Sequence, residues 1–395
     1  MTPRYDEHVL IVGGGGTGGA LAHDLALRGL RVTLVERGEL TSGTTGRHHG
    51  LLHSGARYAV GDRDSAVECI EENMILRRIC PGTFELNDGL FVAIEDEDMD
   101  YLEPFMEGCE ACRIPAERLS PAQALRLEPN LNPALKAAVR IPDGSMDAMR
   151  LALRFFATAR LNGATIRPYT EVTGLLVANG LVSGAHVHDH VTDKRGEIQA
   201  DLVVNATGPW SEKVAAMAGV SVPIRPSPGV LLALRGRLCN MVINRLHKSG
   251  DGDIVLPQRG LSVVGTSSWV VDDPDELDVP QDHVARMYSE GSKLIPAVAY
   301  TEQRAAWSAA RPLVGSRGGA DTGRELSRTF KTFDHKETDG VEGFVTITGG
   351  KATTLRGMAE LCANVVCEKL GVDESCRTRE TVLLPAAAYY AAAAA

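Results

Sequence analysis

The chain has 395 residues, with 41 Lys or Arg against 51 Asp or Glu, for a net charge of −10 at neutral pH. That balance, with no basic stripe, excludes nucleic acid as a partner and disfavours direct adhesion to an anionic lipid surface. No apolar run reaches the roughly 18 residues of a membrane-spanning helix. A chain of this length is ample for two intertwined domains, each with its own core, and the 44% hydrophobic content is ordinary for a globular protein.

The N-terminal "MTPRYDEH" is polar and partly acidic, and it reads as neither a signal nor a transit peptide, so a cytoplasmic protein with reduced thiols is expected. Next comes "VLIVGGGGTGGALAHDLALRGLRVTLVERGEL". Val9–Val12 suits a buried parallel strand. Gly13, Gly15 and Gly18 fit G-x-G-x-x-G, for a tight turn, a close approach to a pyrophosphate and close helix–strand packing. A helix over Ala20–Arg28 ends at Gly29, and Arg31–Val35 is a second strand. Glu36 closes the unit 18 residues after Gly18, where a carboxylate accepts hydrogen bonds from a ribose diol. Strand, glycines, helix, strand and acid in order point to a dinucleotide.

The following "TSGTTGRHHGLLHSGARYAVGD" is rich in Gly and small hydroxyl residues and reads as a loop lining a ligand. Asp64–Ile79 has helical periodicity with Asp64 or Ser65 as its cap. A strand in "NDGLFVAIEDED", helices in "MDYLEPFMEGCEAC" and after Ser120-Pro121, and a further strand–helix–strand unit follow. "EVTGLLVANGLVSGAHVHDHVTDKRGEIQADLVVNATGPWS" reads as a β-meander that ends in a buried strand, Leu202–Asn205, and an Ala206-Thr207-Gly208 turn. Residues 216–310 hold strand-like runs and one helix, a second and mostly antiparallel sheet. "GFVTITGGKATTLRGMAELCANVVCEKLG" repeats strand, glycine turn and helix.

These segments resemble a known group. The opening is similar to the FAD-binding start of D-amino-acid-oxidase-like flavoproteins. "TSGTTGRHHGLLHSGARY", "VVNATGPWS", "VGTSSW", "AARPLV" and "TITGGKATTLRGMAE" together resemble FAD-dependent glycerol-3-phosphate dehydrogenase, above all the large subunit of the anaerobic bacterial enzyme. Leu355 departs from the pattern, where a Tyr is usual. The resemblance implies an α/β fold, a Rossmann-like FAD-binding domain with an inserted, mostly antiparallel substrate domain. The expected FAD-binding domain is 1–65, 140–215 and 311–380; the substrate domain is 66–139 and 216–310. Residues 386–395 are a low-complexity, alanine-rich tail, read as a stand-in for other residues of a chain that continues.

The resemblance implies FAD as the cofactor. The layout points the same way, because an extended flavin needs glycine turns after several strands. Implied FAD contacts are Gly13, Gly15, Thr17, Gly18, Glu36, Arg37, Thr44, Thr45, Gly46, His49, Gly50, Leu52, Val172, Ala206, Gly208, Trp210, Gly349, Gly350, Lys351, Ala352 and Thr353. The implied substrate is glycerol 3-phosphate, with Arg57, Tyr58, Arg311, Arg328 and Lys351 around it and His53, Arg311 and Lys351 as the catalytic set. Arginine forks suit a phosphate dianion. His53 is either the base for the C2 hydroxyl or a hydrogen-bond partner of the flavin edge, and Arg324 competes with Arg328 as the matching cation.

Other motifs read as structural. Cys109 and Cys112 form a lone C-x-x-C, expected to be two helical thiols. His48 and His49 are adjacent, so their side chains diverge. His186, His188 and His190 alternate along one strand face, but their place before a hairpin turn favours a solvent-exposed edge over a metal site, and no metal is expected. The expected reaction is oxidation of glycerol 3-phosphate to dihydroxyacetone phosphate. Electrons would pass to quinone by way of an iron–sulfur or second flavin subunit, at the inner face of the membrane through that partner. The alternatives are a dehydrogenase of another polyol phosphate or a 2-hydroxy acid, and a flavin-carrying non-catalytic component of an electron-transfer complex.

Overall fold

The computed structural model describes residues 2–315 and 329–391. Its first sheet has six strands in the order Phe330–Asp334, Phe344–Gly349, Leu202–Asn205, His8–Val12, Arg31–Val35, Thr165–Arg167. All pair in parallel except the outermost Phe330–Asp334, which is antiparallel. Val9, Leu10 and Ile11 are fully buried because both faces are covered. Val9 and Ile11 face helices Gly16–Arg28, Ala148–Leu161 and Leu355–Leu370. Leu10 and Val12 face the antiparallel meander of Thr170–Ala178, Leu181–Asp189 and Lys194–Gln199. This period-2 split explains why the strand reads as one continuous apolar run.

The second sheet has eight strands, ordered Gln303–Val314, Ile224–Arg235, Leu261–Gly265, Ile254–Gln258, Val242–Arg245, Gly89–Ala93, Ala137–Ile141, Glu117–Leu119. It is antiparallel apart from Val242–Arg245 beside Gly89–Ala93. Helix Gln281–Leu294 packs on it through Val284, Met287 and Leu294. The strand Gln303–Val314 runs through the domain boundary expected at 311, so Arg311 stands on the second sheet.

Two local expectations need correction. The helix Arg63–Ile79 is capped by Asp62, whose side chain accepts from Ser65 N–H, and not by Asp64 or Ser65. The histidine-bearing strand Leu181–Asp189 is the centre of its three-stranded sheet rather than an edge. Cys109 and Cys112 are buried free thiols, at the end and cap of helix Leu102–Ala111; burial pushes the Cys109 thiol up to about 12. In the tail, Tyr389 is buried against Phe156, with Arg160 over its ring at 4.6 Å.

Candidate active site

The strand His8–Val12 has a parallel neighbour on each side, and the chain reaches them in opposite directions. That topology opens a crevice at the carboxyl ends of the strands. A cavity of about 560 Å³ lies there, lined by Gly13, Gly15, Ala206, Gly208, Gly349 and Gly350. All three glycine turns therefore meet in one place. A Cβ on Gly13, whose φ is +113°, would lie 2.7 Å from the Ala206 carbonyl oxygen, and one on Gly18 would overlap the Gly13 carbonyl. Only glycine lets the turns and the helix Gly16–Arg28 approach this closely. That helix starts at the cavity, with Gly15, Gly16 and Thr17 in the lining, and a helix start favours a pyrophosphate. Glu36 also lines the cavity. Its Oε2 accepts from Gly14 N–H at 2.7 Å and its Oε1 from Gly38 N–H at 2.9 Å. A carboxylate has lone pairs left for a ribose diol. The cradle, the helix start and the acid fit an extended dinucleotide such as FAD.

Toward the second sheet the cavity is lined by His49, His53, Arg57, Tyr58, Arg311 and Lys351. His49, His53 and Tyr58 form a row with ring centroids 5.8 and 5.5 Å apart, and Lys351 Nζ stands 5.0 Å from the Tyr58 ring. Burial, and then the nearby His49, Arg57, Lys351 and His48, hold the His53 pKa well below its ordinary value. Burial likewise lowers His48 to about 4 and His49 to about 3. All three imidazoles are neutral at neutral pH. Two of them serve the backbone: His48 Nδ1 accepts from Gly50 N–H and His49 Nδ1 from Leu51 N–H.

The cations are held from behind. Arg57 donates Nη2–H to Asp253, while its buried Nη1 has no hydrogen-bond partner among the described residues. Arg311 donates to the carbonyls of Ser227, Pro228 and Ser267 and to the hydroxyls of Thr266 and Ser268. Those bonds fix its guanidinium in the cavity lining. Arg328 and Arg324 lie outside the described residues.

Of the other predicted cofactor contacts, Thr17, Arg37, Thr44, Thr45, Val172, Trp210 and Ala352 line the cavity. Gly18, Gly46, Gly50, Leu52 and Thr353 do not line it but shape its walls. A Cβ on Gly46 would press on the Thr41 carbonyl and one on Gly50 on Gln258. Leu52 is core, and Thr353 Oγ1 accepts from His53 N–H at 3.0 Å.

Sequence reasoning missed the residues that fix His53. Asn73 Nδ2 donates to the His53 carbonyl at 3.0 Å. Asp143 Oδ1 accepts from Ser54 N–H at 2.7 Å. The signal for Asn73 was an amide on the buried face of a helix, between Ile70 and Leu76; Asp143 left none beyond a turn. Also missed was the segment between Trp269 and Gln281. Its Pro274, Asp275 and Leu277 line the cavity. Asp275 accepts from Arg37 at 2.6 Å, Trp210 Nε1 at 2.8 Å and Lys213 at 2.9 Å, which ties this segment to the first-sheet domain.

The sheet order, the glycine cradle and the acid together define a dinucleotide-binding flavoprotein fold. A family profile described as "FAD dependent oxidoreductase" matches residues 8–364, and the chain belongs to that family. It is 44% identical over 377 residues to one component chain of the anaerobic glycerol-3-phosphate dehydrogenase of Escherichia coli (strain K12), covering 95% of this chain and 69% of that one. The corresponding component from Haloferax volcanii is 44% identical over 390 residues, 96% of this chain and 67% of the relative. The structure is similar, with a TM-score of 0.75, to that of L-alpha-glycerophosphate oxidase from Mycoplasma pneumoniae with FAD bound. There the identity is 20%, over 94% of this chain and 97% of the other.

Proposed function

We propose that this chain oxidises sn-glycerol 3-phosphate at C2 to dihydroxyacetone phosphate, using FAD in the glycine-lined cavity. The observation that carries the reading is the convergence, on one cavity, of three glycine turns with Arg57, Arg311, Lys351 and a neutral His53. The 44% identity to a component of the anaerobic dehydrogenase agrees with it. FAD supplies a hydride acceptor.

The residues of the chain do the rest. Arg57, Arg311 and Lys351 hold the phosphate dianion, and Tyr58 packs under Lys351. His53 takes the proton of the C2 hydroxyl. Its lone pair is available because burial, and then the neighbouring cations, keep it neutral. The arriving phosphate neutralises those cations and so raises the basicity of His53 when substrate is present. Thr353, Asn73 and Asp143 fix the peptide that carries it.

Electrons leave through a partner protein that carries iron–sulfur clusters or a second flavin, and go on to quinone. The named bacterial and archaeal relatives are each one component of their enzyme, which supports an assembly. No helix among the described residues is long and apolar enough to cross a membrane. Because quinone is dissolved in the lipid, we place the chain on the cytoplasmic side, at the inner face of the membrane, held there through that partner.

The test is anaerobic mixing of the FAD-loaded protein with glycerol 3-phosphate, glycerol, a 2-hydroxy acid and an amino acid. Rapid flavin bleaching by glycerol 3-phosphate alone is expected. Arg311→Ala and Lys351→Ala should each weaken kcat/KM by about 2–5 kcal/mol with flavin content retained. Bleaching by an amino acid, or an unaffected Arg311→Ala, overturns the assignment.

A further inference from the structure

We propose that Glu171, His188 and His190 form a binding site for a borderline divalent cation of the zinc, nickel or copper type, separate from the substrate end of the cavity. The site comes from register. Glu171 on Thr170–Ala178 stands directly opposite His188 on Leu181–Asp189, and His190 follows two residues on, just past the strand end, so alternation returns it to the same face.

The three ligand atoms lie within 4.8 Å of one another. Three such points share a centre no more than about 2.8 Å from each, so shifts of under an ångström bring all three to the 2.0–2.2 Å of zinc bonds. His190 Nε2 already lies 2.8 Å from Glu171 Oε2, and the two imidazole centroids are 4.5 Å apart. The cation takes the place of the proton held between His190 Nε2 and Glu171, and of the one that His188 Nε2 shares with Asp193 where that nitrogen is the ligand; each moves to its own ring's Nδ1 or to solvent. Two imidazoles and one carboxylate are a three-ligand set that suits these metals and leaves a position for water. Asp193, with Oδ1 at 2.7 Å from His188 Nε2, is a further carboxylate beside the cluster.

The backbone supports the arrangement. His190 N–H donates to the Tyr169 carbonyl at 2.8 Å, which keeps the chain in line past the strand end. Asp189 accepts from Val191 and Thr192 N–H groups and so shapes the turn without competing for the ion. The two histidines are unevenly exposed, with side chains 17% and 40% accessible, so the ion would enter from the His190 side. Glu171 also lines the dinucleotide cavity. An ion here would therefore brace the wall beside Val172, at the end near Glu36.

Calorimetric titration of the FAD-loaded protein with Zn²⁺ alone tests this. One equivalent should bind, and thermal unfolding should shift upward with Zn²⁺. His190→Ala and Glu171→Gln should each weaken binding at least about tenfold, as should the milder His188→Asn. His186→Ala, on the same strand face but paired with Glu197, should bind as the parent does. No saturable uptake overturns the proposal. So does uptake unchanged in His190→Ala, which would place the ion elsewhere, or a loss in His186→Ala equal to that in His190→Ala.

Discussion

Arg57, in the loop after the first βαβ unit, is ion-paired with Asp253, which immediately precedes the strand Ile254–Gln258 of the other sheet, and both side chains are buried. The pair joins the two domains across the cavity and leaves one Arg57 nitrogen turned away from Asp253. Burial alone would raise the Asp253 carboxyl; Arg57, with His247 close by and a hydrogen bond from Gly250 N–H, outweighs it and holds the carboxyl well below the usual range. Removing one member of a buried pair leaves the other charge uncompensated. Asp253→Asn is therefore expected to cost about 3–5 kcal/mol in urea unfolding. KM for glycerol 3-phosphate should also rise, because Arg57 loses its fixed position. A variant as stable as the parent would show that the pair contributes nothing.

Glu36 organises its turn through Gly14 and Gly38 N–H groups, and we assign it to the adenosine ribose. Glu36→Ala should weaken FAD binding by about 1.5–3 kcal/mol for each charge-assisted hydrogen bond lost. Flavin fluorescence during dilution or dialysis reads this directly. Unchanged FAD affinity would remove Glu36 from the cofactor site.

Asp275 ties the segment after Gly265 to Arg37, Trp210 and Lys213, with Arg37 also 4.8 Å over the Trp210 ring. Arg37 and Asp275 are 47% and 40% exposed, so solvent screens the pair and each contact contributes no more than about 1 kcal/mol. Asp275→Ala should speed FAD release by about fivefold and abolish most of its salt dependence. An identical release rate in low and high salt for the parent protein would argue against an electrostatic tie.

Asp143 gives a pH-dependent signature. Burial raises its carboxyl to about 6, only partly offset by the Ser54 N–H and Asn244 amide. The folded state therefore prefers the protonated acid, whereas the unfolded chain ionises near 4. Stability from this group is present below pH about 4 and is lost as pH rises to about 6, a difference of about 3 kcal/mol. Asp143→Asn removes that dependence, and its amide can also reach the buried Asn244 Oδ1, which has no partner among the described residues. The stability of the variant relative to the parent should climb by about that amount between pH 4 and 6 and level off above. A constant difference across this range would mean that Asp143 is not shifted.

The βαβ unit was legible because its causes are local. Gly18 must lack a Cβ to clear Gly13, and Val9 to Val12 must be apolar to fill both faces of a sheet; such constraints act within a window of some 30 residues and leave their mark there. The three glycine turns and the crevice they line followed from the same kind of signal. Tertiary structure alone decided the partners. Arg57 and Asp253 are 196 residues apart, and Asp275 reaches Arg37 across 238. Neither carboxylate differs in sequence from a solvated one. The cap of the helix Arg63–Ile79 moved to Asp62 because an N-cap depends on where the backbone leaves the helix, which the run of four polar residues Asp62 to Ser65 does not mark. For the histidine run, alternation set the face, but only strand pairing put Glu171 opposite His188 and made that strand central. Sequence determined the local geometry that a ligand needs; register and domain docking decided which charges meet, because those depend on contacts whose partners no local pattern names.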